Sequence, residues 1–131
     1  MAQTTLVTRK IDAGRRLIQS LRADGFAVAV AFWLKTDEDD TWRLYIATPE
    51  IDQLGFRGAY SRVSEIAQKH QLSGIDQFDV RLIETDSQLA QAVLSRQAQW
   101  PAPLDTVIRG TSLGATTVDE GLVYAPSSVA S

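Results

Sequence analysis

A chain of 131 residues with 44% hydrophobic side chains fits one domain with a full-sized core. The absence of cysteine excludes disulfide bonds and thiolate metal sites, and the net charge of −3 disfavours a general nucleic-acid binder. The sequence has neither an apolar run of about 18 residues nor a signal segment, so a cytoplasmic protein is expected. We expect a single α+β domain over residues 1–131, with flexible ends at residues 1–10 and 126–131.

A first amphipathic helix is predicted over residues 12–24, with Asp12 as its N-cap and Gly25 just after its end. Its apolar stripe consists of Gly14, Leu17, Ile18 and Leu21. The opposite stripe carries the basic side chains Arg15, Arg16 and Arg22. These arginines are solvated, form a basic contact surface for a partner or nucleic acid, or belong to a targeting peptide.

A β-hairpin is predicted over residues 26–49, where two apolar runs flank the acidic tip Asp37-Glu38-Asp39-Asp40. A turn centred on Glu38 and Asp39 places Trp33 opposite Leu44. In this register one face carries Ala27, Ala29, Ala31, Trp33, Trp42, Leu44 and Ile46. The other face carries Phe26, Val28, Val30, Phe32, Leu34, Arg43, Tyr45 and Ala47. Because the first strand is apolar on both faces, we expect it in the centre of a covered sheet.

Three segments of the chain resemble a known group of proteins. They are Ala31-Phe32-Trp33, Trp42-Arg43-Leu44-Tyr45-Ile46-Ala47-Thr48-Pro49 and Gly58-Ala59-Tyr60. In these segments the chain is similar to a group of small uncharacterised bacterial proteins with no assigned activity, over about residues 21–124. The resemblance implies a single domain of bacterial origin and brings no activity, cofactor or site residue with it.

The second helical region should begin with a short turn over residues 49–53, break at Gly55 and continue over residues 57–70. Its predicted apolar stripe is Phe56, Tyr60, Val63 and Ala67, widened by Ile66. Residues 71–77 are predicted as a loop and residues 78–84 as a third strand.

The third helix is predicted to follow a capping box from Thr85 to Gln88 and to end near residue 99. Its inward side chains should be Leu89, Ala92, Val93 and Leu94. Residues 106–109 and 118–125 complete the prediction as strands, with a turn over residues 110–114. The element order α-ββ-α-β-α-ββ predicts an α+β fold with a mixed or antiparallel sheet of about five strands around a central hairpin.

Catalytic or metal-binding signatures are weak throughout the sequence. His70 is the only histidine and suits the end of a helix. The acidic tip lacks the alternating pattern of a calcium loop, and the glycines at 110 and 114 lack the lysine of a phosphate loop. Glu84, Asp79 and Lys35 match the residue types of a nuclease site without its spacing. We therefore expect no metal ion and no cofactor.

The candidate partner-binding residues are Trp33, Trp42, Arg57 and Tyr60. Paired tryptophans on one hairpin face form either core or an exposed anchor, and a dimer is expected only if no helix covers them. Residues 1–22 sum to +4 and the remainder to −7, which could assist self-association. The favoured function is a non-enzymatic interaction or accessory module that acts through a protein partner or a homodimer. The alternatives are a small hydrolase or nuclease that uses dispersed carboxylates and His70, or nucleic-acid contact through the basic helix.

Overall fold

The computed structural model describes residues 8–36, 42–72, 79–99, 106–113 and 116–124. The elements in chain order are α1 (Thr8–Ala23), β1 (Val30–Thr36), β2 (Trp42–Ala47), α2 (Glu50–Lys69), β3 (Val80–Ile83), α3 (Gln88–Gln99), β4 (Thr106–Leu113) and β5 (Thr116–Val123). The predicted flexible start at residues 1–10 is wrong for residues 8–10, which belong to α1. The predicted frayed end at residues 126–131 lies outside the described residues, as does the acidic tip at residues 37–40.

The strands form one mixed sheet in the order β3-β2-β1-β5-β4. Only β2 and β3 run parallel among the described pairs, and α2 connects them. The other neighbouring strands are antiparallel. As its two apolar faces predict, β1 lies inside the sheet, between β2 and β5. The α+β class and the mixed sheet are confirmed.

The hairpin register is confirmed, because Trp33 pairs with Leu44 and Lys35 pairs with Trp42. Burial explains why the chain selects this register. A shift by one residue would turn the side chain of Leu44, which has no exposed surface, to the opposite face of the sheet.

Two apolar layers cover the sheet, one on each face. On one face, Trp33, Leu44 and Ile46 are buried together with residues of α1 and α2. On the other face, Val30, Phe32 and Leu34 pack with Ala90 and Val93 of α3. The partly buried side chains of Leu89, Ala92 and Leu94 also pack against this second layer.

Residues 26–29 do not extend β1, contrary to the sequence prediction. Phe26 and Val28 pack on the Trp33 side rather than with Val30 and Phe32, because a bend at Ala29 shifts the alternation. Ala27 and Ala29 are exposed.

Side chains from three elements hold this bent segment. The Arg22 Nη2 group donates to the Val28 carbonyl at 2.7 Å. The buried Thr48 hydroxyl donates to the Ala27 carbonyl at 2.6 Å, and the Ala27 N–H donates to Glu50 Oε2 at 3.1 Å.

Helix α1 begins at Thr8, so Asp12 lies inside the helix and is not its N-cap. The predicted apolar stripe is confirmed, and the helix ends at Ala23, just before Gly25, which has φ +84°. The Phe26 N–H donates to the Leu21 carbonyl, and the Gly25 N–H donates to the Arg22 carbonyl. These two bonds form a Schellman motif, which explains the glycine at this position.

Gly14 allows α1 to approach the sheet closely. The Trp33 indole N–H donates to the Tyr124 hydroxyl at 2.8 Å, and that hydroxyl donates to the Ile11 carbonyl at 2.7 Å. A Cβ atom on Gly14 would overlap the Tyr124 hydroxyl and lie 3.1 Å from the Trp33 indole nitrogen. The Arg15 guanidinium covers the other side of this contact, 5.6 Å from the centroid of the Tyr124 ring.

Two sequence predictions fail in the second half of the chain. The side chain that caps α3 is Ser87, whose hydroxyl accepts the Ala90 N–H at 3.2 Å, so the box from Thr85 is wrong. Residues 110–113 continue β4 rather than forming a turn, because strand β5 pairs with them. Gly114, where the predicted turn ends, lies outside the described residues.

Candidate functional site

Trp33 and Trp42 are buried rather than exposed. Trp33 has no exposed surface and Trp42 has 8%, and both belong to the apolar layer beneath α1 and α2. Of the two alternatives that the sequence leaves open, core is confirmed and an exposed tryptophan anchor is wrong, because helices cover this face of the hairpin. A dimer through the tryptophan face is excluded for the same reason.

Three arginines of α1, the Arg15, Arg16 and Arg22 of the predicted basic stripe, do not form one basic surface. Arg16 is exposed, whereas Arg15 is partly buried beside Tyr124 and pairs with Asp12 at 3.1 Å. Arg22 is partly buried and donates to the Val28 carbonyl. The basic stripe therefore divides into one exposed cation and two side chains with structural contacts.

A sharp bend at Gly55 divides α2 into the two segments that the sequence predicts. Gly55 has φ +73° and ψ 170°, a conformation that glycine tolerates and other residues rarely adopt. Residues 52–57 are all exposed, so the bend protrudes from the domain. Leu54 lies against the next segment, where a Cβ atom on Gly58 would be 2.9 Å from the Leu54 Cβ.

Large apolar side chains are exposed on this bend. Phe56 is 48% exposed, Leu54 46% and Tyr60 36%, and among the residues whose side-chain burial the structure describes, these are the exposed large hydrophobic ones. Phe56 and Tyr60 are four residues apart in the second segment and share one side of it. With the exposed Arg57 they form what we call the bend surface: Leu54, Phe56, Arg57 and Tyr60.

The predicted inward face of α2 is wrong at Phe56 and Tyr60. The sequence places Phe56 and Tyr60 on the inward stripe, but the buried side chains of this segment are Ala59, Val63 and Ile66. Two predicted partner-binding residues, Arg57 and Tyr60, are thus at the surface. Leu54 and Phe56 were not identified as surface residues from the sequence.

Tyr60 also joins the bend surface to the edge of the sheet. Its hydroxyl accepts the Leu82 N–H at 2.9 Å. Strand β3 pairs with β2 on one side only, and the Thr48 N–H donates to the Ile83 carbonyl on that side. Because successive peptide groups alternate in direction, the Leu82 N–H points to the open edge. The Tyr60 hydroxyl therefore covers one backbone donor of an edge strand.

A charged cluster connects the ends of α1 and α2. The Asp24 carboxylate lies 3.2 Å from Lys69 Nζ through one oxygen and 3.2 Å from His70 Nε2 through the other. The hydrogen bond from Lys69, assisted by that from His70, lowers the pKa of Asp24. His70 is the C-cap residue of α2, and its backbone N–H donates to the Ile66 carbonyl, so the predicted capping role is confirmed.

The residues of the hypothetical nuclease site lie far apart. Lys35 pairs with Trp42 at one end of the hairpin, whereas Glu84 follows Ile83, the partner of Ala47, at the other end. Six residues of extended chain separate these levels by about 20 Å. Asp79 instead forms an ion pair with Lys10 at 3.6 Å. In the described ranges, no group of three histidine, aspartate or glutamate side chains is placed to hold a metal ion.

Comparison of the chain with protein-family models, with curated proteins and with solved structures gave no match. The resemblance to a bacterial group thus stays a prediction. Within the described residues, the helices are too short or too polar to cross a membrane.

Proposed function

We propose that the protein is a non-enzymatic interaction module that binds a protein partner through the bend surface. The observation that carries this proposal is the exposure of Leu54, Phe56 and Tyr60 within seven residues of one helix. Single exposed apolar residues are common on protein surfaces, but a group of large ones at one protruding site is typical of a binding surface.

The fold has little need of the apolar side chains at the bend. Phe56 leaves about half of its surface in water, although a polar side chain there would suit the solvent. Gly55 and Gly58 already provide the bend and the close approach of Leu54. An aromatic ring and an arginine side by side are also the residue types that dominate binding energy in protein interfaces.

The positions of the polar residues favour this proposal over a hydrolase or nuclease. One oxygen of the Asp24 carboxylate pairs with Lys69, and the other lies within hydrogen-bond distance of His70 Nε2. Glu84 and Lys35 lie at opposite ends of the hairpin. A general acid–base site requires such groups to converge on one substrate atom.

The bend surface can be tested by affinity capture from an extract of the native host, with three forms of the protein as bait. We expect a specific protein to be captured by the wild type and by Arg16→Glu, which changes an exposed residue of α1. Phe56→Ser should lose that protein, because the aromatic anchor is removed while the core is unchanged. Equal capture by wild type and Phe56→Ser would contradict the proposal.

We also propose a cytoplasmic location and a bacterial origin. A chain without cysteine suits a reducing compartment, and the resemblance of the hairpin residues is to bacterial proteins.

A further inference from the structure

The charges on either side of the bend are balanced. Asp52 precedes Leu54 and Arg57 follows Phe56, and both are exposed. Within the described part of the chain, neither side chain has an ion pair or hydrogen bond. The protruding segment 52–57 therefore has one negative end, one positive end and an apolar middle.

Such a segment is complementary to itself in an antiparallel arrangement. A two-fold axis midway between the two charged side chains would set Asp52 of one copy against Arg57 of the other, and the reverse. Gly55, which lies between them in the chain, has no side chain to obstruct the approach. Both charges are then paired and the apolar side chains lie in the middle of the contact, as in other interfaces.

A uniformly charged partner would fit this segment less well. An acidic surface would pair with Arg57 and repel Asp52, and a basic surface would do the opposite. The whole chain carries −3, so two copies repel each other at long range, but the segment 52–57 itself sums to zero. The bend is thus a place where two copies can meet without opposing like charges.

We infer that the partner at the bend surface is a second copy of this chain, bound through a two-fold contact in which Asp52 of each copy pairs with Arg57 of the other. This inference rests on the proposed function, since it uses the same surface. It differs from a dimer through the tryptophan face, which α1 and α2 cover.

Charge reversal provides a test that does not depend on identifying any other protein. Sedimentation equilibrium of the wild type should show a monomer–dimer equilibrium over about 1–500 μM. Asp52→Arg and Arg57→Asp should each weaken the dimer by about tenfold or more, because each variant alone opposes like charges twice. An equimolar mixture of the two variants should recover the wild-type affinity, since both contacts are then of opposite charge.

The mixture is the decisive sample, because a variant that has merely lost its fold cannot be rescued by another variant. Phe56→Ser should remain monomeric throughout, with wild-type circular dichroism as evidence of folding. A wild type that stays monomeric, or a mixture no stronger than the single variants, would overturn the inference. If the wild type is monomeric but Phe56→Ser still loses a captured protein, the interaction module survives and only the second copy is rejected.

Discussion

Removing the hydroxyl of Tyr124 tests how α1 is attached to the sheet. Tyr124→Phe deletes one oxygen that accepts the Trp33 indole N–H and donates to the Ile11 carbonyl. Both tyrosine and tryptophan are at least 99% buried, so water does not replace the lost partner. The ring itself stays, which confines the perturbation to the two hydrogen bonds.

The expected cost follows from the two bonds. A buried donor left without a partner costs about 1–3 kcal/mol, and a net hydrogen bond contributes about 0.5–1.5 kcal/mol. Because the Ile11 carbonyl is only partly buried, the second bond lies at the low end of its range. We expect Tyr124→Phe to lower the free energy of unfolding by about 1.5–3.5 kcal/mol.

Urea unfolding, followed by tryptophan fluorescence and circular dichroism, measures this change. Tyr60→Phe is the matched control, since it removes the same hydroxyl from a partly exposed tyrosine. The Tyr60 hydroxyl accepts the Leu82 N–H. The control should lose only about 0.5–1.5 kcal/mol. A loss for Tyr124→Phe no larger than for the control would refute the reasoning that the buried bonds hold α1.

Combining this variant with Gly14→Ala examines the same contact independently. In the wild type, the added methyl group overlaps the Tyr124 hydroxyl and should be destabilising, although alanine is favoured in helices. In the Tyr124→Phe background the overlap disappears, so Gly14→Ala should cost less there, with a coupling energy on the order of 1–3 kcal/mol. Additive losses would mean that α1 moves aside freely.

Three further predictions concern the core, pH and nucleic acid. Val30→Asp should lower the free energy of unfolding by about 3 kcal/mol or more, because Val30 is buried against α3. The same change at the exposed neighbour Ala29 is the control, and urea unfolding should show little loss of stability for it. The pKa of Asp24 is lowered from 3.8 in the folded chain, so its contribution is complete above that value and is lost as the pH falls through the lowered pKa. Unfolding measured from pH 5 downward should accordingly show the wild type losing its advantage over Asp24→Asn, and a constant difference would contradict the assigned ion pairs. Fluorescence anisotropy with labelled duplex DNA should detect only weak, salt-sensitive binding, with the exposed Arg16 as a contact. Tight binding near physiological salt that Arg16→Glu abolishes would contradict the proposed interaction module and favour nucleic-acid contact.

The hairpin could be predicted from the sequence because its signal is local and redundant. Large side chains alternate on both strands, and only one register buries Trp33, Leu44 and Ile46 together. The break in α2 could be predicted for the same reason, because a glycine within a helical pattern is a local signal for a break, and Gly55 has a positive φ.

The failures arise where a local bend changes which face of an element the neighbouring residues occupy. The bend at Ala29 moves Phe26 and Val28 to the opposite face, and the bend at Gly55 turns Phe56 outward. Periodicity gives the spacing of a stripe but not its direction, which depends on the packing of distant elements. The burial of Trp33 and Trp42 does not follow from the hairpin pattern either, because it depends on how α1 and α2 pack on the sheet.

The surface status of Phe56 could have been suspected from its neighbours. Six consecutive residues from Asp52 to Arg57 include two charged side chains, an amide and a glycine, a composition typical of an exposed segment. The two large apolar residues within it are the exception. The structure is needed to show that Leu54 and Phe56 do not reach the core.

The position of β1 has a consequence for synthesis on the ribosome. Its first neighbour, β2, follows directly in the chain, but β5 comes near the end, so that Trp33 and Tyr124 are separated by 91 positions. At a synthesis rate of about 5–20 residues per second, β5 is completed several seconds after β1, and until then one edge of β1 has no partner strand. During that interval the nascent domain exposes an unpaired apolar sheet edge, which chaperones can bind and which can cause aggregation. A chain that stops before Thr116 would keep this edge permanently, and we expect it to accumulate in inclusion bodies.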